Sequence, residues 1–236
     1  MKNEKNIAGM ARFGISPKGT LGIPVPVLRS MAKKLGKNHP LAIQLWNTKI
    51  HEARLLAAFI DEPAKVTYKQ LEKWAKETDS WDTCDLACSN LFDRTEFAWK
   101  IVVSWTNRKE EFVKRYAFTM MAVLAVHDKK AKDKEFVRLL PLIAKASTDE
   151  RNFVKKAVNW ALRQIGKRNR KLNGKAIACA KKILHTYPYS KAARWVANGA
   201  VRELERPEVR VRWKPNSLFR LAVSRVFRQA CLLLIP

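Results

Sequence analysis

Between Lys37 and Ile165 the sequence contains no glycine, and the whole 236-residue chain has only eight. Alternating apolar and polar stretches are also missing there, which argues against a sheet and against tight turns built on left-handed residues. Acidic residues are scarce, 21 against 47 Lys plus Arg, for a formal net charge of +26. That imbalance exceeds what solubility requires and implies a polyanionic partner, nucleic acid first and an anionic membrane surface second. The four cysteines, Cys84, Cys88, Cys179 and Cys231, form no C-x-x-C pair, and none of the four histidines stands at zinc-finger spacing from them. A disulfide scaffold and a structural zinc are therefore not expected, and a reducing cytoplasm is. No apolar run approaches the roughly 18 residues of a membrane span, and the N-terminal stretch lacks the apolar core of a secretory leader. Glycine-rich dinucleotide loops, a P-loop and H-E-x-x-H are all absent.

What remains is helical periodicity. Apolar residues recur at three- and four-residue spacing, which predicts helices near 26–35, 40–46, 50–60, 67–77, 81–92, 95–105, 109–127, 133–146, 150–168, 174–186 and 190–205. Breaks are expected at Gly36, Pro63, Asp79–Ser80, Asn107, the lysine-rich turn at 128–133, Ser147–Asp149, Asn169–Asn173 and Pro188. Pro141 falls inside a helical pattern and should restart it. Residues 1–20, with Gly9, Gly14 and Gly19, read as an irregular arm. Residues 21–205 read as one domain, and 206–236 as a basic amphipathic tail closed by Leu232–Ile235.

The most informative stretch is TDSWDTCDLACSNLF, 78–92. Cys84, Ala87, Cys88 and Leu91 form an apolar stripe, and Thr78, Asp79 and Ser80 are candidate N-caps. Trp81 and Asp85 stand four residues apart, one turn along one face. An indole beside a carboxylate in so basic a chain suits a cationic partner. Asp85 has two readings, neutralising a neighbouring Lys or Arg or stabilising positive charge on a substrate. In the helix at 150–168 the core stripe is expected at Phe153, Ala157, Val158, Ala161, Leu162 and Ile165. Trp160 is expected opposite, with Lys156, Arg163 and Lys167. It either packs under lysine stems or meets a ligand.

EEFVKRYAFTMMAVL, 110–124, aligns with RNFVKKAVNWALRQI, 151–165, at an offset of 41. The match pairs Phe112 with Phe153, Lys114 with Lys155 and Arg115 with Lys156. A period near 40 made of helix pairs points to HEAT-like repeats stacked as a curved solenoid with a concave face. Arg115 is placed away from its core stripe, where its planar fork suits a phosphate.

LGIPVPVLRSMAKKL, LAIQLW, SWDTCD, FVKRYAF and FVKKAVNWALRQIGK together resemble the AlkD-like DNA alkylation-repair glycosylases, from about Leu21 to Leu204. The resemblance implies an all-α HEAT-like superhelix whose basic concave face clamps duplex DNA containing alkylated bases. It implies hydrolysis of the N-glycosidic bond of cationic N7- or N3-alkylpurines, with no metal and no cofactor, by a monomer independent of membranes. It makes Asp85, Trp81 and Trp160 the catalytic set and puts Arg115 and Arg163 on the DNA; Lys114, Lys156 and Lys167, cations on the same two helices, complete the expected DNA-binding set. The lesion would stay stacked while Asp85 stabilises the oxocarbenium-like sugar and orients water. The alternatives are a non-catalytic DNA-structure-binding relative and a helical-repeat scaffold for a protein partner. Ser80 stands where many relatives carry a second tryptophan, and Gln164 where a glutamate is common. The N-terminal arm looks shortened.

Overall fold

The structure, a computed structural model, describes residues 2–211. Proline and glycine set several boundaries, and polar side chains cap some helix starts, but not the one expected at 78–80, where Ser80 turns its hydroxyl to Thr83 and Thr78 donates to the Trp74 carbonyl. Helix α1 spans Glu4–Arg12 and is capped by Asn3, whose side chain accepts from the Asn6 N–H. Helix α2, Val25–Leu35, has Pro26 in its first turn and ends at Gly36, whose φ of 69° is left-handed. Helices α3 (His39–Asn47), α4 (His51–Ile60), α5 (Tyr68–Glu77), α6 (Trp81–Asn90) and α7 (Ala98–Ser104) follow. Next come α8 (Glu111–His127), α9 (Asp133–Val137), α10 (Leu140–Ala146), α11 (Asn152–Arg168), α12 (Arg170–Thr186), α13 (Lys191–Leu204) and α14 (Pro207–Val211).

Two expectations about boundaries change. The arm is not irregular, because α1 occupies residues 4–12 and buries Ile7. The break expected over Asn169–Asn173 shrinks to one residue: Asn169 caps α12 by accepting from the Leu172 N–H, so α11 and α12 meet almost without a loop. Pro141 does restart its helix, at the α9–α10 junction. The tail begins with the short helix α14, and 212–236 lie outside the described residues.

Helices α4, α6, α8, α11 and α13 pack side by side, each on the next, while α3 backs α4, α7 backs α8 and α12 backs both α11 and α13. This two-layer stack buries one continuous core. Trp46 and Trp74 stack at 4.0 Å within it, and Phe92 stacks on Tyr116 at 5.1 Å. The repeat is visible in space: α8 and α11 are both 17 residues long, and Phe112 and Phe153 meet at 5.4 Å between them. The arm is fastened by Glu52 of α4, itself 1% exposed, whose carboxylate accepts the backbone N–H groups of Leu21, Gly22 and Ile23. Among the described residues no helix is long and apolar enough to cross a membrane.

Candidate functional site

Helix α6 starts where Ser80 adopts extended backbone, φ −140° and ψ 149°. No side chain caps its free N–H groups by reaching back; the Asp82 carboxylate accepts from the Thr83 N–H and pairs with His51 at 2.9 Å. Cys84, Ala87, Cys88 and Leu91 are fully buried, as the apolar stripe predicts. Trp81 and Asp85 sit at the edge of that stripe, both half-buried.

Asp85 Oδ1 accepts a 2.8 Å hydrogen bond from Arg115 Nη2 and a longer one, 3.4 Å, from the Thr119 hydroxyl, both on α8. Among the described residues both bonds fall on Oδ1, which leaves Oδ2 for a water or a ligand. The Asp85 side chain retains 23% of its exposure. Burial pushes its carboxyl above the ordinary value of 3.8; Arg115 opposes this through charge and hydrogen bond, the nearby Asp82 charge adds to it, and the Thr119 hydroxyl opposes it.

Arg115 is not an outward cation. It is 4% exposed, correcting the wheel placement, and its guanidinium is spanned between Asp85 and the Phe153 carbonyl of α11, 2.7 Å from Nη1. Its Nε finds no hydrogen-bond partner. Burial works against its charge, but the Asp85 charge and hydrogen bond, with Cys84 and Cys88 adding, together hold its pKa above the ordinary value. The wheel failed because a helix flanked by neighbours on two sides buries more than one stripe, and in α8 twelve of 17 residues are buried.

The arm completes the site, which sequence reasoning missed. The Trp81 indole N–H donates to the Phe13 carbonyl at 2.8 Å. Gly14, at φ 80°, follows, and a Cβ there would stand 3.4 Å from the Phe153 ring. Phe153 is the residue whose carbonyl holds Arg115. The contacts therefore close a circuit through Trp81, Phe13, Gly14, Phe153, Arg115 and Asp85. The available signal was the Asn3–Glu4 helix start with Ile7 one turn on, which gives the arm a folded shape; Gly9 masked it.

Trp160 is half-buried and packs on the core edge, and Phe153 is half-buried against Phe112; seven residues apart, the two lie on one face of α11 instead of opposite faces. They stand two turns and about 10 Å apart along α11. Trp160 is the repeat equivalent of Thr119, since 160 − 119 is the 41-residue offset. The other cations of the expected set differ in freedom. Lys156 is exposed. Lys114 pairs with Asp149 at 2.8 Å, and Arg163 and Lys167 both pair with Glu203 of α13, at 2.6 and 2.7 Å. Burial tends to raise the Glu203 carboxyl, but these two cations hold it below its ordinary value.

The family model described as DNA alkylation repair enzyme matches residues 1–204. The match thus begins with the arm and not at Leu21. A solved structure described as "a new family of proteins related to the HEAT-like repeat DNA glycosylases with affinity for branched DNA structures" shares the fold. Its TM-score is 0.69 at 17% identity, over 77% of this chain and 78% of that one. No curated protein matches the sequence.

Proposed function

Because the chain belongs to the DNA alkylation repair enzyme family over residues 1–204, we propose that it is a DNA glycosylase for cationic alkylpurines, with Asp85 as its electrostatic catalyst. One observation carries this reading: a partly exposed carboxylate, fixed through one oxygen by a buried arginine, stands one turn from an indole in a chain of formal charge +26. Exposure alone does not single out Asp85, since Glu203 keeps the same 23%; Glu203 commits both oxygens to Arg163 and Lys167, whereas Asp85 commits only Oδ1 and stands beside an indole.

An alkylated purine carries its positive charge before the reaction and leaves as a neutral base when the C1′–N bond breaks, its electron pair departing with the base. The deoxyribose becomes an oxocarbenium-like cation. Asp85 Oδ2 faces that charge, orients a water toward C1′ and accepts the proton the water gives up. Arg115 and Thr119 hold Oδ1, so the carboxylate need not reorganise as charge develops. Trp81, and Trp160 from α11, offer π faces to the sugar and the cationic base. Arg115 serves here as a positioning residue; direct contact with a phosphate requires it to leave Asp85. Lys156 is the direct phosphate contact in this reading. Lys114, Arg163 and Lys167, held by Asp149 and Glu203, supply field.

The test is single-turnover release of N7-methylguanine from duplex DNA. Wild type releases base, and Asp85→Asn, which keeps an acceptor for Arg115, loses about 100-fold or more. Equal inertness of both proteins, with DNA still bound, selects the second reading. That reading is a non-catalytic binder of DNA structures, favoured by the description of the structural relative as having affinity for branched DNA.

A further inference from the structure

Among the described residues several cations that approach another element meet a carboxylate. Arg115 has Asp85, Arg108 has Glu72 and Glu110, Lys114 and Arg151 share Asp149, and Arg163 and Lys167 share Glu203. One cluster departs from this. A cavity of about 290 Å³ between α2, α4 and α6 is lined by Arg29, Lys33, Lys37, Arg94, Phe59 and Asn90, with Ala32 and Gly36. Its lining contains four cations and no acidic side chain.

Two of the four are pre-set. The Arg29 guanidinium lies over the Phe59 ring at 4.6 Å and donates to the Asn90 side-chain oxygen at 3.2 Å. Lys37 Nζ is fixed between the Phe59 and Asp61 carbonyls, at 3.0 and 2.7 Å. Lys33 and Arg94 are exposed at the rim. Three acidic residues lie nearby without entering the lining. Asp93 stands 3.9 Å from Arg94 but gives its 2.6 Å contact to His127. Asp61 is taken up by His39 and Gln70, and Glu62 by Lys65 and the His39 N–H. Burial, and then the Arg94 charge, depress the Lys37 pKa, while the charges of Asp61 and Glu62 only partly offset this. Four cations face one hollow with no acidic side chain in its lining, and a bound anion would offset their mutual repulsion. Lys33 lies in the last turn of α2 and complements the carbonyl end of that helix. That accounts for one of the four charges, not for the convergence of three elements on one hollow.

We propose that this cavity is a phosphate-binding subsite for the DNA backbone, separate from the Asp85 site but built on the same helix. The inference rests on the DNA-binding part of the functional reading. Asn90 and Asp85 are five residues apart on α6, about 7 Å along its axis. They are also about 140° apart around that axis, so a strand with its lesion sugar at Asp85 brings to the cavity a phosphate further along the backbone, not the one next to the lesion. Arginine and lysine, with one arginine stacked and planar, are the donor set a phosphodiester takes.

The experiment compares Lys33→Ala/Arg94→Ala with a charge-matched control on the outer layer, Lys134→Ala/Lys145→Ala. All four side chains are exposed, so both variants are expected to fold, which circular dichroism of each checks. Binding to an unmodified duplex is measured by fluorescence anisotropy from about 50 to about 200 mM salt. The cavity variant should flatten the slope of log K against log salt by about 0.9 for each phosphate it no longer neutralises, and the control should not. In parallel, inorganic phosphate titrated into wild-type protein should shift the Gly36 and Asn90 amide resonances, and the cavity variant should not respond. Equal slopes for both variants, or a wild type whose two amides ignore phosphate, overturn the subsite. A wild type that takes phosphate at these amides but no DNA leaves the cavity an anion site and removes the DNA-binding reading instead.

Discussion

Positions 115 and 156 occupy the same slot in two 17-residue helices, yet one holds a buried arginine, 4% exposed, and the other an exposed lysine. The cause lies in the neighbours. Helix α8 is flanked by α6, which offers the Asp85 carboxylate, and by α11, which offers the Phe153 carbonyl. Helix α11 is flanked by α8 and α13, and α13 places its carboxylate, Glu203, near its own C-terminal end. There it takes Arg163 and Lys167 and leaves Lys156 without an ion pair among the described residues. Thr119 and Trp160 differ in the same way: one hydrogen-bonds Asp85, the other packs an indole on the core edge. A helical repeat fixes where a side chain stands. What that side chain can do is decided by the element across the seam.

The comparison breaks most sharply on stability. Arg115→Leu strands the Asp85 charge against a low-dielectric seam and should cost about 3 kcal/mol in urea unfolding. Lys156→Leu in the equivalent slot should stay within about 0.5 kcal/mol. Adding Asp85→Asn to Arg115→Leu should recover part of the loss, because removing both partners leaves less charge unsatisfied than removing one. Equal costs at the two positions would mean that the repeat, and not the seam, sets the environment.

The next effect is on catalysis. Trp160→Ala should lower single-turnover base release about tenfold, the order expected for one cation–π or sugar contact of about 1 kcal/mol or somewhat more. Trp160→Phe should retain most of the rate. Thr119→Ala, one repeat earlier, should change the rate less than Trp160→Ala does, because Arg115 still holds the same Asp85 oxygen. A Trp160→Ala protein that releases base at the wild-type rate removes α11 from the site and confines the chemistry to the α6–α8 seam.

Which parts were legible follows from the same contrast. Helix positions were legible because period, caps and proline act within a few residues: Pro141 restarts a helix and Gly36 ends one, as their local chemistry requires. The Trp81–Asp85 pair was legible because both residues lie on one helix. Arg115 was misplaced because a wheel knows only one core, whereas a stacked helix has a neighbour on each side. The Phe13–Gly14 contact was invisible for a different reason. A backbone carbonyl that receives the Trp81 indole leaves no mark in residue type, and nothing local links residue 13 to residue 81. The paired states of Lys114, Arg163 and Lys167 are likewise long-range facts, set by Asp149 and Glu203 from other helices.

The finest test of the seam is the pH dependence of base release. Cleavage in the proposed mechanism needs Asp85 ionised. Its carboxyl is raised above 3.8 by burial, so the active fraction falls as pH drops through that raised value. The acidic limb of the single-turnover rate should therefore lie above the point where a free carboxylate titrates, and the rate should level off at higher pH. Arg115 pulls the carboxyl down by charge and hydrogen bond, and Thr119 pulls more weakly through its 3.4 Å bond. Thr119→Val deletes only the weaker pull and should move the limb to higher pH by a small amount, leaving the plateau rate nearly intact. Measured from about pH 4 to about pH 8, a limb that does not move in Thr119→Val but vanishes in Asp85→Asn would assign the titration to Asp85 and its fine tuning to Arg115 alone. A flat wild-type profile would remove Asp85 from the chemical step, making the α6–α8 seam, like the pairs on Glu203, a device for holding helices together.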